Sequence, residues 1–189
     1  MEFEAALKAL RSPAGVVLYP TETVYGLGCR ASDSAGIEKI NALKQAGRHP
    51  QIVLVDGVPT WLEGLAKELA EAFWPGPLTL IVRPPEGLFV GARAPDSTLA
   101  IRWSPHPVVQ ALVGGVGPIT STSANIHGSP PVRIPADLAF EVDAVVDMGQ
   151  LPDAKPSTLV DVENRTVLRK GELFETVERV MSEALSERL

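Results

Sequence analysis

The sequence predicts a mixed α/β fold, in which helices pack on a twisted sheet of parallel and antiparallel strands. Short apolar runs of strand length alternate with segments of helical spacing, without the strict strand–helix–strand order of an all-parallel sheet. Apolar residues make up 45% and charged residues 21% of the 189 residues, as in folded globular proteins. No internal repeat, low-complexity tract or linker divides the chain, so we expect a single domain over residues 1–189.

The helices are predicted from apolar spacing and capping residues. One helix follows Asp33 and Ser34, which are typical N-cap residues, and ends near Lys44. Residues 60–63 have the pattern of a capping box, so another helix is expected to begin there and to end before the Pro/Gly segment 74–77. The remaining helices are predicted over 5–10, 108–113, 135–140 and 174–185.

Strands are predicted where short buried runs end at Pro, Gly or polar clusters. The first of them stops at Pro20, and the segment 21–28 that follows is predicted to be a polar loop. The predicted strands cover 15–19, 52–55, 78–82, 99–103, 118–122, 144–147, 158–162 and 166–169.

Composition disfavours several classes of protein. A net charge of −6 argues against a dedicated, non-specific nucleic-acid binder, whose affinity would come from neutralising phosphates. No run of eighteen apolar residues is present, and the acidic start of the chain lacks a signal-peptide pattern. Cys29 is the only cysteine, so no internal disulfide can form. We therefore expect a cytoplasmic protein without a membrane segment.

The loop after the first strand places the hydroxyls of Thr21 and Thr23 on both sides of the Glu22 carboxylate. Loops at strand ends are where α/β proteins bind ligands, although threonines in loops equally often cap backbone groups. The glycines that follow, at 26 and 28, match a dinucleotide-binding pattern. That interpretation is rejected because the glycines neither follow the strand directly nor open a helix.

Two further segments carry polar groups after predicted elements. Lys44 and Arg48 could clamp phosphates, or they could complement the dipole at a helix C-terminus. Ser121, Ser123 and Asn125 offer neutral donors to carboxylate or phosphate oxygens, or else form a hydroxyl-capped turn. No G-x-S-x-G elbow supports a serine nucleophile, and the three histidines lack the spacing of a zinc site, so no metal site built from protein side chains is predicted.

Taken together and in order, the motifs of this chain resemble those of the YrdC/Sua5 family of threonylcarbamoyl-AMP synthases. Lys44 and six segments spread over residues 20–173 carry the resemblance: PTETVYGLG (20–28), WPGPLTLIV (74–82), TLAIRWSPHP (98–107), TSTSAN (120–125), PSTLVD (156–161) and VLRKGEL (167–173).

The resemblance implies a three-layer fold with a concave active-site face. It also implies a nucleotidyltransferase that condenses L-threonine with CO₂ or bicarbonate to a carbamate. The carbamate then attacks the α-phosphorus of ATP, supplied with Mg²⁺, and releases pyrophosphate. The product would serve the threonylcarbamoylation of tRNA, with tRNA and the downstream transferase complex as further partners.

The resemblance also implies roles for single residues. Those expected to bind L-threonine are Thr21, Thr23, Arg102, Ser121 and Ser157. Those expected to bind ATP are Lys44, Arg48, Thr98, Ser123, Asn125 and Arg169. Within the second set, the residues expected to be catalytic are Lys44, Arg48, Ser123 and Asn125.

The chain departs from the family pattern on the ATP side. Ala46 stands where the pattern Lys-x-Arg has its arginine, and Arg48 is the nearest cation that could replace it. Pro131 stands where the family has a serine. These departures leave a second hypothesis open, that of a diverged relative that binds nucleotide or RNA without synthesis.

Overall fold

The computed structural model describes residues 2–47 and 49–186, with side chains up to residue 183. Five α-helices are found in this part of the chain: α1 (Glu2–Arg11), α2 (Ser34–Leu43), α3 (Gly64–Phe73), α4 (Pro107–Val116) and α5 (Phe174–Ser186). The first five strands are β1 (Val17–Pro20), β2 (Tyr25–Gly28), β3 (Ile52–Leu54), β4 (Leu78–Val82) and β5 (Leu99–Arg102). The other four are β6 (Ile119–Ser123), β7 (Ala144–Val145), β8 (Thr158–Asp161) and β9 (Thr166–Arg169).

All nine of these strands belong to one sheet, in the order β7-β1-β2-β6-β3-β5-β4-β8-β9. The pairs β1–β7, β3–β5 and β4–β8 are parallel. The remaining five pairs are antiparallel. The predicted mixed α/β fold is therefore confirmed.

Alternating side chains along the strands build two cores on opposite faces of the sheet. Val17 and Tyr19 of β1 pack with α1 and α4 in one core. Val16 and Leu18 join the larger core with α2, α3 and α5. The chain thus forms three layers, helix–sheet–helix. Among the described residues, α1 and α4 pack against β7, β1 and β6, and neither helix packs to the same extent against β5, β4, β8 or β9. No helix among the described residues is long and apolar enough to cross a bilayer.

The segment 25–28, predicted to be a loop, is instead the buried strand β2. It pairs with β1 on one side and β6 on the other. Its glycines allow the neighbouring strands to approach: a Cβ on Gly28 would lie 2.0 Å from the Thr120 carbonyl oxygen, and one on Gly26 would lie 2.9 Å from the Tyr19 ring. The sequence signal was misread because glycine is rare in strands unless backbone or rings pack this closely.

Two predicted helices differ from the structure. The capping box at 60–63 was wrong, because the Leu62 N–H closes a separate turn on Pro59 and Glu63 makes no capping hydrogen bond with its side chain. Gly64, with a φ of +52°, is the first residue of α3 and breaks the helical backbone between that turn and the rest of the helix. The helix predicted over 135–140 is only a 3-10 turn, Pro135–Asp137. The predicted cap Asp33 is confirmed, since its side chain accepts a hydrogen bond from Gly36 N–H.

Candidate active site

A cavity of about 550 Å³ lies over the part of the sheet that α1 and α4 leave uncovered. Strand residues that share this face form its floor, among them Ile52, Ile81, Ala100 and Leu159. Hydroxyl groups and two arginines line its walls: Thr21, Thr23, Thr98, Arg102, Ser121, Thr122, Ser123, Ser157 and Arg169. The cavity therefore combines an apolar floor with donors suited to anionic groups.

The turn between β1 and β2 brings two threonines to the cavity. Thr21 organises this turn: its Oγ1 donates to the Val24 carbonyl at 2.6 Å and accepts the N–H groups of Thr23 and Val24 at 3.1 and 3.2 Å. The hydroxyls of Thr21 and Thr23 lie 3.0 Å apart, and both residues are buried. Thr21 is thus both a hydroxyl cap of the turn and part of the cavity wall, and it holds Thr23 in place.

Arg102 ends β5 and points into the cavity from a buried position, with only 5% of the residue exposed. Its Nε donates to the Gly76 carbonyl at 3.2 Å, and its Nη2 forms an ion pair with Glu22. Burial lowers the pKa of Arg102, and the negative charge of Glu22 opposes that shift. Hydrogen bonds to Gly76 and Glu22 therefore fix a charged guanidinium group in a site that is largely shielded from water.

Arg169, at the end of β9, lines the same cavity. Its Nε donates to the Ser157 carbonyl and its Nη2 to the Ser157 hydroxyl, both at 2.9 Å. Ser157 also shares a 2.8 Å hydrogen bond with the buried Thr79. Burial lowers the pKa of Arg169, and the positive charge of Arg102 lowers it further. Because the charge of Arg102 disfavours the charged form of Arg169, an anion bound in the cavity would stabilise both cations.

Lys44, just after α2, is buried next to the end of β6 but does not line the cavity. Its ammonium group donates to the carbonyls of Ser123 (2.5 Å) and Asn125 (2.9 Å) and to Asn125 Oδ1 (3.0 Å). The Ser123 hydroxyl donates to the same Oδ1 at 2.6 Å. All three N–H donors of Lys44 are therefore used to hold residues 123–125, at the end of β6. Burial lowers the pKa of this lysine to about 8.

Thr98 completes the wall from the loop before β5. Its backbone N–H and its hydroxyl both donate to Asp96 Oδ1, at 3.0 and 2.7 Å. These hydrogen bonds lower the pKa of Asp96, led by that from the Thr98 hydroxyl. Thr98 is thus held by a local turn, with its side chain at the rim of the cavity.

Comparisons with known proteins assign this arrangement to a family. A family model named for Sua5, YciO and YrdC, with the description "Telomere recombination", matches residues 9–171. A threonylcarbamoyl-AMP synthase of Chromohalobacter salexigens is 37% identical over 177 residues, which cover 87% of this chain and 95% of that protein. The chain belongs to the Sua5/YciO/YrdC family.

Solved structures of the family have the same fold. One of them is P. abyssi Sua5 complexed with L-threonine, which is 29% identical to this chain with a TM-score of 0.84. The match covers 96% of this chain but 57% of the Sua5 chain, so this chain spans less than two-thirds of that protein. E. coli YciO is 26% identical with a TM-score of 0.79, over 90% of each chain.

Most residues expected from the Sua5/YciO/YrdC resemblance line the one cavity. Of the residues expected to bind L-threonine, those that line it are Thr21, Thr23, Arg102, Ser121 and Ser157. Of those expected to bind ATP, the lining residues are Thr98, Ser123 and Arg169. Lys44 and Asn125 lie behind the wall and contact Ser123 instead, and Arg48 lies outside the described residues. Pro131, which replaces the family serine, lines the cavity as an apolar group.

Three residues that line the cavity or contact its lining residues were assigned no role from the sequence. Glu22 was noted only as a carboxylate between two threonines, although it pairs with Arg102. Thr79 lies inside an apolar strand and gave no signal, yet it contacts Ser157. His49 lines the cavity, with its ring centroid 5.7 Å from that of His127. Only the position of Glu22 inside the PTET motif could have drawn attention to it.

Proposed function

We propose that this chain is a threonylcarbamoyl-AMP synthase, which forms L-threonylcarbamoyladenylate and pyrophosphate from L-threonine, CO₂ or bicarbonate, and ATP. The observation that carries the proposal is a cavity that brings the buried Arg102 and the half-buried Arg169 together with a set of hydroxyl groups. The names of the Chromohalobacter relative and of the threonine complex of Sua5 support the same reaction. We treat residues 1–189 as one functional domain.

The L-threonine site is proposed around Arg102. A guanidinium group binds a carboxylate with two parallel N–H donors, and the interaction is strong where water is excluded. Thr23 and Ser121 line the same cavity as Arg102 and supply hydroxyls for the amino acid, with Thr21 holding Thr23. Ser157, fixed by Thr79 and Arg169, provides a further hydroxyl.

The ATP site is proposed at Thr98, Ser123 and Arg169, which line the cavity, with Arg48 as an additional cation. Lys44 and Asn125 contribute by holding Ser123 rather than by direct contact, since the three N–H groups of Lys44 are used within the segment 123–125. In this role Lys44 and Asn125 are positioning residues.

The chemistry in this proposal has two steps. The threonine amine loses a proton and forms an N–C bond to CO₂, which gives the carbamate. A carbamate oxygen then forms a bond to the α-phosphorus of ATP while the bond from that phosphorus to the pyrophosphate oxygen breaks. The chain contributes by holding the reactants in line, by stabilising negative charge with guanidinium and hydroxyl donors, and by excluding water from a labile anhydride.

Magnesium is proposed to enter as part of the ATP substrate. No three His, Cys, Asp or Glu side chains in the described part of the chain are grouped so as to hold a metal ion. The cavity lining supplies hydroxyls and guanidiniums, whereas Mg²⁺ prefers carboxylates, phosphates and water. Its ligands would therefore come mainly from the triphosphate. We further propose a cytoplasmic setting, in which the product is passed on to the complex that modifies tRNA.

The test is a reaction with purified protein, L-threonine, bicarbonate, ATP and Mg²⁺. Release of pyrophosphate that depends on threonine, with the adenylate identified by mass spectrometry, is the expected result. Arg169→Ala should reduce the rate by about 10²-fold or more, the usual effect of losing one electrostatic contact to developing charge. Arg11→Ala is the matched control, because the exposed Arg11 donates to the Gly115 carbonyl and does not line the cavity. No threonine-dependent pyrophosphate from wild type would overturn the proposal.

A further inference from the structure

Glu22 lies between the two threonines of the turn after β1, and both of its carboxylate oxygens are engaged. One oxygen accepts from Arg102 Nη2, and the other accepts from the Ser104 hydroxyl at 2.6 Å. Ser104 is fully buried and in turn accepts the His106 N–H at 3.2 Å. The Glu22 side chain, 22% exposed, is thus fixed from two directions.

The guanidinium of Arg102 is held along one edge only. Its Nε and Nη2 groups donate to Gly76 and Glu22. Its Nη1 group has no hydrogen-bond partner among the described residues, while Arg102 itself lines the cavity. A charged group fixed along one edge keeps its other donors available for a ligand.

Glu22 does not line the cavity. None of the described residues that do line it carries a carboxylate. The Glu22 carboxylate therefore reaches Arg102 from behind and does not fill the volume in which a ligand carboxylate would lie.

We propose that Glu22 is a positioning residue, which fixes the Arg102 guanidinium so that its free donors face the carboxylate of the amino-acid substrate. This inference rests on the proposed function. A rival role is that of a latch, in which Glu22 occupies the anion site and leaves when substrate binds. The latch is disfavoured because departure of Glu22 would leave the fully buried Ser104 hydroxyl without its acceptor.

The two roles predict opposite effects of Glu22→Gln. Glutamine keeps the size of the side chain and one acceptor oxygen but removes the charge that holds Arg102. If Glu22 positions Arg102, Glu22→Gln should raise the Kd of L-threonine, measured by calorimetry, roughly tenfold or more. The KM for threonine should rise by a similar factor. This is the usual effect of losing a charged hydrogen bond. The KM for ATP and kcat at saturating threonine should stay within about threefold, because Glu22 is placed only in the amino-acid half of the site.

Two further variants complete the experiment. Glu163→Gln breaks the surface pair with Arg83 and is the matched control, for which threonine binding should not change. Ser104→Ala removes the second anchor of Glu22 and should weaken threonine binding to a smaller extent, without changing any charge.

Unchanged or tighter threonine binding in Glu22→Gln would overturn the positioning role, and tighter binding would indicate the latch. Failure of the proposed function gives a different result. In that case wild type binds L-threonine without releasing pyrophosphate, and calorimetry on the two variants still decides the role of Glu22.

Discussion

Replacement of Arg102 by alanine should remove L-threonine binding while ATP binding persists. The change deletes the guanidinium that lines the cavity together with its hydrogen bonds to Gly76 and Glu22. It therefore acts in two ways. It removes the proposed partner of the substrate carboxylate, and it leaves Glu22 without its counter-charge.

The two effects have different magnitudes. Breaking a fully buried ion pair costs about 3–5 kcal/mol of folding stability. Here Glu22 is 22% exposed and keeps the Ser104 donor, so we expect a loss of about 2–3 kcal/mol. Truncating one member of a buried charge pair at a binding site costs about 2–5 kcal/mol of affinity, which corresponds to a rise in Kd of about 30-fold or more.

A double variant separates stability from binding. Adding Glu22→Gln to Arg102→Ala removes the unpaired carboxylate and should recover about 1 kcal/mol or more of the free energy of unfolding. Threonine binding, measured by calorimetry at a temperature where both variants are folded, should remain lost. ATP affinity serves as the internal control. If folded Arg102→Ala binds threonine as tightly as wild type, Arg102 is not part of the amino-acid site.

Three other predictions concern the ATP side and the sheet. Ser123→Ala should raise the KM for ATP about tenfold, as expected for a lost hydrogen bond to a charged ligand, with little change in thermal stability. If the variant instead unfolds at a lower temperature and its folded fraction has normal activity, the role of Ser123 is purely structural. Burial lowers the pKa of Lys44 from 10.5 to about 8, so between pH 8 and pH 10.5 this lysine binds a proton less often in the folded chain than in the unfolded chain. Wild-type stability should therefore rise with pH from about 8 to 10.5 relative to Lys44→Met, and parallel denaturation curves across that range would contradict the shift. Gly28→Ala should lower the free energy of unfolding by about 3 kcal/mol, because the new Cβ would lie 2.0 Å from the Thr120 carbonyl oxygen. Gly57→Ala is the control: a Cβ there has no neighbouring atom within 4 Å, so the same denaturation assay should show little change.

The sequence by itself determined those features that depend on local spacing. Side chains alternate between the two faces of a strand, which places Ser121 and Ser123 on one face of β6, where both line the cavity, although the predicted strand ended at residue 122. The Asp33 cap and the Pro/Gly stop after α3 are also local signals, and both lie where the sequence placed them. The order of the family motifs added the prediction of an amino-acid part and a nucleotide part of the site.

Tertiary structure alone decided the strand order and the direction of the charged side chains. Glu22 and Arg102 are 80 residues apart, and Lys44 and Ser123 are 79 apart. Local periodicity says nothing about such pairs, because they depend on which strands become neighbours in the sheet. The placement of β6 between β2 and β3 brings Ser123 to Lys44 and turns the lysine away from the cavity. Gly26 and Gly28 were misread for the same reason: the atoms that require glycine there belong to Tyr19 and Thr120, on the strands packed at either side.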